Sequence, residues 1–258
     1  MKNIYFSIMM ILGIAFSCCA QNVSERHFEY SYQILPVDAS YDSKVDPKLS
    51  KYLDKQKQML DERMNVVIGR CDMPMVSYDP QSPLSNFLTD LLLDKGPKRF
   101  ADDLTCDVAL LNFGGIRTQL PQGNVTVGNI YALSPFDNYL VIVYVKGSEL
   151  KKALNRFTER KNAPFAGMQI SYQNGRPTSM KIQGKPIENE RVYKLITLNF
   201  ISEGGDNLIS GIRFEKVEYS GVIFREFLLE EIQKMTDEGK VIHGEVDNRV
   251  TIAPSPKF

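Results

Sequence analysis

Three short segments of the sequence combine tight turns with aromatic and hydrogen-bonding side chains. They are Asn112-Phe113-Gly114-Gly115-Ile116-Arg117, Ser134-Pro135-Phe136-Asp137-Asn138 and Asn199-Phe200-Ile201-Ser202-Glu203-Gly204-Gly205-Asp206. Paired glycines let a backbone turn sharply or approach a ligand closely, so the side chains beside these turns are candidates for binding. The candidate binding residues are Asn112, Arg117, Phe136, Phe200 and Asp206, with the loop glycines Gly114, Gly115, Gly204 and Gly205.

These residue types suit a nucleoside. Two phenyl rings can sandwich a base, and each stack contributes about 1–3 kcal/mol. A carboxylate such as Asp206 accepts hydrogen bonds from ribose hydroxyls, and an arginine such as Arg117 donates a forked pair to phosphate or ribose oxygens. Each segment also has a structural explanation, because glycine pairs make turns, the rings could lie in the core, and Asp206 could cap a helix or bond within its own turn.

The sequence offers no hydrolytic centre of its own. It holds two histidines, His27 and His243, whereas a binuclear metal site needs a cluster of histidines and carboxylates. A Gly-x-Ser-x-Gly nucleophile turn and a phosphate-binding Gly-Lys-Ser/Thr loop are both absent from the sequence. We therefore expect no catalytic residue, no metal ligand and no cofactor in this chain.

The overall charge is balanced, with 31 lysines and arginines against 31 aspartates and glutamates. Because nucleic-acid affinity comes mainly from neutralising phosphates with basic residues, we expect no nucleic-acid partner. A local basic pocket for one small anion remains compatible with this balance. The length of 258 residues is enough for one domain with a sizeable core.

The first residues are typical of a secretory leader. Lys2 precedes an apolar run from Ile4 to Phe16, and small residues follow. Ala15-Phe16-Ser17-Cys18 resembles a bacterial lipobox, which predicts lipidation at Cys18; cleavage after Ala20 is the alternative. We therefore expect an exported protein in the periplasm or cell envelope, held to the membrane by a lipid anchor alone, since no other segment has about 20 apolar residues.

Periodicity and turn signals predict a single α+β domain, a mixed β-sheet with flanking helices. Residues 1–19 form the leader, 20–81 an N-terminal extension, and 82–258 the domain. The extension contains a strand at 28–37, a helix from Asp46-Pro47 to about Met64 and a strand at 65–76. The elements predicted for the domain are a helix from Ser82-Pro83 to Lys95, strands at 107–112 and 139–145, a helix capped by Ser148, strands at 168–173, 178–182 and 191–198, a helix starting at Ser220, and a strand at 249–252.

Only Cys71 and Cys106 follow the leader and its flanking residues. An exported compartment permits a disulfide, but two cysteines cannot define a disulfide framework. Cys106 opens an apolar run, so we expect it to be a buried thiol.

The order of the motifs resembles the C-terminal domain of bacterial and ecto-5′-nucleotidases. The motifs that carry the resemblance are Ser82-Pro83-Leu84-Ser85-Asn86-Phe87, the 112–117 segment, Ser134-Pro135-Phe136, residues 147–154 and the 199–206 segment. The resemblance runs from about Ser82 to Ile252, and the two paired-glycine loops are its most specific parts. In those enzymes an N-terminal metallophosphoesterase domain carries two metal ions, and the C-terminal domain binds the nucleoside portion of the substrate.

The resemblance implies a role for each candidate residue. Phe136 and Phe200 would stack on the base, and Asn112 would contact it. Asp206 would hold the ribose hydroxyls, and Arg117 would reach ribose or phosphate.

The sequence departs from the family pattern in two ways. Residues 21–81 are too short for a metallophosphoesterase domain and lack its ligands. Many family members also carry further arginines just before the Ser82-Pro83 helix, where this chain has Ser77-Tyr78-Asp79-Pro80-Gln81. The leading hypothesis is a nucleotide- or nucleoside-binding subunit for a separate metallophosphoesterase that holds two divalent metals. The alternatives are a stand-alone nucleoside-binding lipoprotein without hydrolysis, and a scaffold that has lost its pocket.

Overall fold

The computed structural model describes residues 30–44, 46–158 and 160–253. The predicted leader with Cys18, His27 and the first two residues of the predicted strand at 28–37 lie outside the described residues. The chain divides into two compact units, residues 1–51 and residues 52–258. Among the described residues, no helix is both long and apolar enough to span a membrane.

In the first unit, the strand predicted at 28–37 is wrong for its described part. Residues 30–37 form neither helix nor strand, and Tyr30, Tyr32 and Ile34 are all more than 80% exposed, at 84%, 87% and 83%. Alternation specifies a strand where one face is buried, and all three of these side chains are mostly exposed. A 3₁₀ turn at Ala39–Lys44 follows.

Eleven strands form three sheets in the described part of the second unit. Their bounds are β1 (Val67–Cys71), β2 (Val108–Leu110), β3 (Gly123–Thr126), β4 (Tyr139–Lys146), β5 (Phe165–Ala166), β6 (Met168–Gln173), β7 (Arg176–Ile182), β8 (Lys185–Pro186), β9 (Val192–Leu198), β10 (Lys216–Ile223) and β11 (Val250–Ile252). The largest sheet has the order β10-β4-β9-β2-β5, a second has the order β11-β6-β7-β8, and β1 pairs with β3. The α+β class is confirmed, with three sheets in place of one.

The helices and further turns lie between these strands. The helices are α1 (Pro47–Met64), α2 (Pro83–Lys95), α3 (Val127–Leu133), α4 (Gly147–Leu154), α5 (Asn199–Ser202) and α6 (Phe224–Asp237), and 3₁₀ turns lie at Pro97–Arg99, Phe113–Gly115 and Gly205–Asn207. The β1 strand, predicted as part of the extension, pairs antiparallel with β3 and buries Ile68 and Cys71 in the core.

The α2 helix begins where the sequence predicts, because its start signal is local. Ser82 accepts a hydrogen bond from the Ser85 amide at 3.2 Å, and the Ser85 hydroxyl accepts one from the Ser82 amide at 2.9 Å. Pro83 follows the N-cap residue Ser82, at a position that needs no amide hydrogen. The buried Asn86 then donates to the carbonyl of Glu245 at 2.7 Å, which joins α2 to the C-terminal segment.

Two predicted helix starts are wrong. Ser148 does not cap α4, which begins at Gly147 after Lys146 without a side-chain cap. Ser220 lies within β10, and its hydroxyl donates to the carbonyl of Leu140 at 3.1 Å, so α6 begins later, at Phe224. For Ser220, the pairing of β10 with β4 takes precedence over the local helix signal.

Both described cysteines are free thiols. Cys71 is buried, and burial raises its pKa to about 11. Cys106 is partly buried, not fully buried as predicted, and desolvation raises its pKa to about 12. Neither thiol therefore has the lowered pKa of a nucleophilic cysteine.

Candidate functional site

The three candidate segments lie at one edge of the five-stranded sheet because of the direction of three neighbouring strands. We call residues 112–117 the first loop, 134–138 the second loop and 199–206 the third loop. β2 and β9 pair in parallel, so the first and third loops both follow carboxyl ends of strands. β4 pairs antiparallel with β9, with Leu140 opposite Leu198, so the second loop, which precedes β4, reaches the same edge. The carboxyl edge of such a sheet is where open α/β folds bind ligands.

A hydrogen bond between Asn112 and Asp206 joins the first and third loops. The Asn112 Nδ2 donates to Asp206 Oδ2 at 2.6 Å. Asn112 is 7% exposed, whereas Asp206 is exposed. The buried amide therefore holds one oxygen of an exposed carboxylate, and within the described residues the other oxygen, Oδ1, accepts no hydrogen bond from a side chain or backbone group. That oxygen can accept from a ligand hydroxyl.

The backbone of the third loop has an unusual conformation where it approaches Asn112. Gly204 has φ +104°, and Asp206 and Asn207 have φ of 54° and 56°. These values lie in the left-handed region, which glycine adopts freely and which aspartate and asparagine tolerate better than other residues. A Cβ at Gly205 would overlap the Phe200 ring, so this glycine lets the ring lie against its own loop.

Both candidate rings are partly exposed. Phe136 is 46% exposed and Phe200 is 40% exposed, which excludes the alternative that they are core residues. The Arg117 guanidinium carbon lies 6.0 Å from the centroid of the Phe136 ring, and its Nη1 donates to the Gly114 carbonyl at 3.2 Å. The first loop thus places a cation beside the ring of the second loop.

The second and third loops are also joined directly. The Asn199 side-chain oxygen accepts a hydrogen bond from the Tyr139 amide at 2.8 Å. Tyr139 follows the second loop and Asn199 begins the third, so this bond fixes the spacing of the segments that carry Phe136 and Phe200. Together with the contacts of Asn112 and Arg117, it brings all five predicted site residues into one connected cluster.

Arg225, at the start of α6, holds the second loop in place and was not predicted as a site residue. Its side chain is 10% exposed and forms an ion pair with Asp137 at 2.6 Å. Its Nη1 also donates to the carbonyls of Pro135 at 3.1 Å and Ser134 at 3.4 Å. Its guanidinium carbon lies 4.5 Å from the centroid of the Tyr131 ring. One guanidinium therefore contacts the residues on both sides of Phe136.

The pKa of Arg225 reflects the same contacts. Burial acts to lower this pKa, but the hydrogen bond and charge of Asp137 outweigh it, so the pKa is raised above its usual value. Arg225 therefore stays charged at any physiological pH.

The three loops form an open surface rather than an enclosed cavity. The cavity lined by Asn112, Gly115, Ser134, Asn138 and Phe224 measures about 10 Å³, which is room for about one water molecule. A nucleoside is far larger than this cavity. A ligand would therefore lie on the surface between the exposed rings.

A larger groove of about 530 Å³ lies along α2 and the C-terminal segment. Its charged residues already pair with one another. Arg249 binds Asp90 and Asp247, each at 2.8 Å, and His243 contacts Glu245 at 3.1 Å. The Arg249–Asp90 pair holds the C-terminal segment to α2, and the three loops together, which we call the loop cluster, remain the candidate site.

Within the described residues, no group of three or more histidines, cysteines, aspartates or glutamates is arranged to hold a metal ion. His243 instead contacts Asp72 and Glu245.

In comparisons with known proteins, one family match contains all three loops. Residues 67–212 match the family model described as 5′-nucleotidase, C-terminal domain. Protein UshA of Yersinia enterocolitica is 28% identical over 222 residues, which cover 83% of this chain and 38% of UshA. The trifunctional nucleotide phosphoesterase protein YfkN of Bacillus subtilis is 24% identical over 238 residues, which cover 84% of this chain and 16% of that protein.

A solved structure shows the same fold. The 5′-nucleotidase precursor of Thermus thermophilus superposes with a TM-score of 0.66 at 24% identity, over 80% of this chain and 43% of that chain. This chain thus spans less than half the length of each of these relatives. Because the alignment with UshA covers 83% of a 258-residue chain, it begins upstream of Pro47 and includes all of α1.

The role of Arg225 can be tested by Arg225→Met. We expect the free energy of unfolding to fall by about 1–3 kcal/mol, since hydrogen bonds to a charged group are lost, and amide hydrogen exchange to accelerate at residues 137–139. The matched control is Arg99→Met, which removes another little-exposed guanidinium paired with Glu230 and Glu231 and lying over Phe227. Equal acceleration of exchange at residues 137–139 in both variants would show that Arg225 does not hold the loop specifically.

Proposed function

Because this chain belongs to the 5′-nucleotidase, C-terminal domain family, we propose that its three-loop cluster binds the nucleoside portion of a nucleotide. The observation that carries the proposal is the pair of rings, Phe136 and Phe200, which are about half exposed on loops joined by hydrogen bonds. Exposing an aromatic ring to water is unfavourable compared with burying it, and stacking on a base would remove part of that exposure.

The polar residues match the rest of a nucleoside. Asp206 has one carboxylate oxygen bonded to Asn112 and the other available to ribose hydroxyls. We propose that Asn112 positions this carboxylate, in addition to the contact with the base that the family resemblance implies. Arg117, exposed beside Phe136, is the cation that would reach ribose or phosphate.

We expect the loop cluster to bind phosphate more weakly than it binds the nucleoside. The stretch before α2, residues 77–81, carries no arginine, and Gln81 uses its amide to donate to the carbonyl of Asp247 at 2.8 Å. Arg117 is thus the cation that the described loop cluster offers to an anion. A nucleoside and its monophosphate should therefore bind with similar affinities.

We further propose that hydrolysis takes place on a separate metallophosphoesterase subunit that carries two divalent metals. The present chain would select the substrate, and the two chains together would form a 5′-nucleotidase in nucleotide catabolism.

Export and a lipid anchor at Cys18 complete the proposal. The mass of the mature N-terminus distinguishes an acylated Cys18 from a free chain that begins at Gln21.

Binding can be tested by Phe200→Ala with calorimetric titration of adenosine and adenosine 5′-monophosphate. We expect the affinity to fall by about 1–3 kcal/mol, the value of one base–aromatic stack, with little change in stability because an exposed ring leaves no cavity. Tyr219→Ala is the matched control, since Tyr219 is an exposed ring, 59% exposed, outside the loops. A stability loss of about 3–5 kcal/mol, typical of a core phenylalanine, without any effect on nucleoside affinity would contradict the proposed role.

The proposed separation of substrate binding and hydrolysis between two chains can be tested by a hydrolysis assay. The purified chain with manganese or zinc should not hydrolyse nucleoside monophosphates, and a metallophosphoesterase chain from the same organism should gain turnover when this chain is added. The Phe200→Ala chain should raise the KM of the mixture while its kcat changes less, because ring stacking contributes to substrate binding. Metal-dependent turnover by the chain alone that survives repurification would contradict this division.

A further inference from the structure

Gly205 lies against one face of the Phe200 ring. A Cβ built on Gly205 would have three consecutive ring carbons as its nearest neighbours, at 2.5 Å from Cδ1 and from Cζ and closer still to Cε1. If such an atom lay in the plane of the ring, it would be much farther from the two flanking carbons than from Cε1. The nearly equal distances therefore place it over the face of the ring and not at the edge.

The absence of a side chain at position 205 matters for the ring rather than for the backbone. Gly204 has φ +104°, a conformation that glycine adopts freely, whereas Gly205 has no positive φ. An alanine at position 205 could therefore keep the same backbone, but its methyl group would overlap Phe200. Since non-bonded carbon atoms pack at about 3.5–4.0 Å, the ring would have to leave its place.

This contact leaves one face of Phe200 for a ligand. The side chain is 40% exposed, and the backbone of its own loop covers the face that lies against Gly205. A base that stacks on Phe200 must therefore approach the opposite face. Because the ring is supported from one side in the free chain, less conformational entropy is lost when a base stacks on the other.

The same turn carries the carboxylate proposed to bind ribose. Asp206 follows Gly205 directly, and its Oδ2 accepts the hydrogen bond from Asn112 at 2.6 Å. The Asn207 amide donates to the Gly204 carbonyl at 3.1 Å and closes the turn around both residues. One short stretch of backbone therefore sets where the ring and the carboxylate lie.

We propose that Gly205 is a positioning residue for base stacking. It supports one face of the Phe200 ring and leaves the other face free for the base. This inference rests on the proposed function, because Gly205 acts on the ligand only through the ring. Any side chain at position 205 would displace the ring, so the binding surface requires a glycine there.

The test compares Gly205→Ala, Phe200→Ala and the double variant by calorimetric titration of adenosine. Gly205→Ala should weaken binding about tenfold, which lies within the loss expected for one base–aromatic stack. Phe200→Ala supplies the matched background, because the added methyl group then has no ring to overlap. In that background Gly205→Ala should change the affinity by less than about twofold, since the two substitutions remove the same interaction.

The contact can also be measured without a ligand. An aromatic ring shields protons that lie over its face, so a Gly205 Hα resonance of the wild-type chain should be shifted upfield in the NMR spectrum. The shift should disappear in Phe200→Ala. If Gly205→Ala does not fold, the double variant lacks the overlap and should still unfold at the thermal midpoint of Phe200→Ala.

The outcomes separate this inference from the proposed function. Gly205 protons without an upfield shift would overturn the inference, and so would a Gly205→Ala chain that binds adenosine like the wild type. An equal loss of affinity with and without the ring, or a double variant less stable than Phe200→Ala, would show that Gly205 has another role. A wild-type chain that does not bind adenosine contradicts the proposed function, and the Gly205 resonances then decide whether the glycine supports the ring.

Discussion

The arrangement of β4, β9 and β2 as neighbours is the constraint on which the candidate site depends. Parallel pairing of β9 with β2 and antiparallel pairing with β4 bring two strand ends and one strand start to a single edge. The first and third loops, more than 80 residues apart in the sequence, therefore lie at the same edge of the sheet. The fold brings the three loops together, and the side chains at that edge determine what they can bind.

Local contacts convert this proximity into a defined surface. Asn112 is buried enough to hold the Asp206 carboxylate, and the left-handed backbone of the third loop brings Asp206 to it. Arg225 holds the second loop by donating hydrogen bonds to two carbonyls and one carboxylate. The rings are then left exposed on loops whose backbones are fixed. Such preorganisation lowers the entropy cost of ordering the loops when a ligand binds.

The sequence allows prediction where the physical cause is local. The start of α2 is set by Ser82, Pro83 and Ser85 within four residues, and the prediction of that helix is confirmed. The prediction of five site residues rested on turn glycines, residue types and the family resemblance. The structure brings their loops to one edge of the sheet, while the roles of the five residues stay predictions. The strand predicted at 28–37 is wrong over residues 30–37, because alternation cannot reveal whether a neighbouring strand exists.

The contacts that order the site could not be predicted from one sequence. Arg225 binds residues 88 to 91 positions earlier, and the Asn112–Asp206 bond spans 94 positions. The signal that could have identified Arg225 is its position beside Glu226 among the apolar residues at the start of a helix. That pattern indicates a buried ion pair without naming the partner.

The central claim is that Phe136 and Phe200 stack on opposite faces of one base. A double-mutant cycle with Phe136→Ala, Phe200→Ala and the double variant, titrated with adenosine in a calorimeter, tests it most directly. Each single change should weaken binding by about 1–3 kcal/mol, and the two losses should couple by about 0.5 kcal/mol or more because both rings orient the same ligand. Losses that add without coupling, or a wild-type chain that does not bind adenosine, would contradict the account.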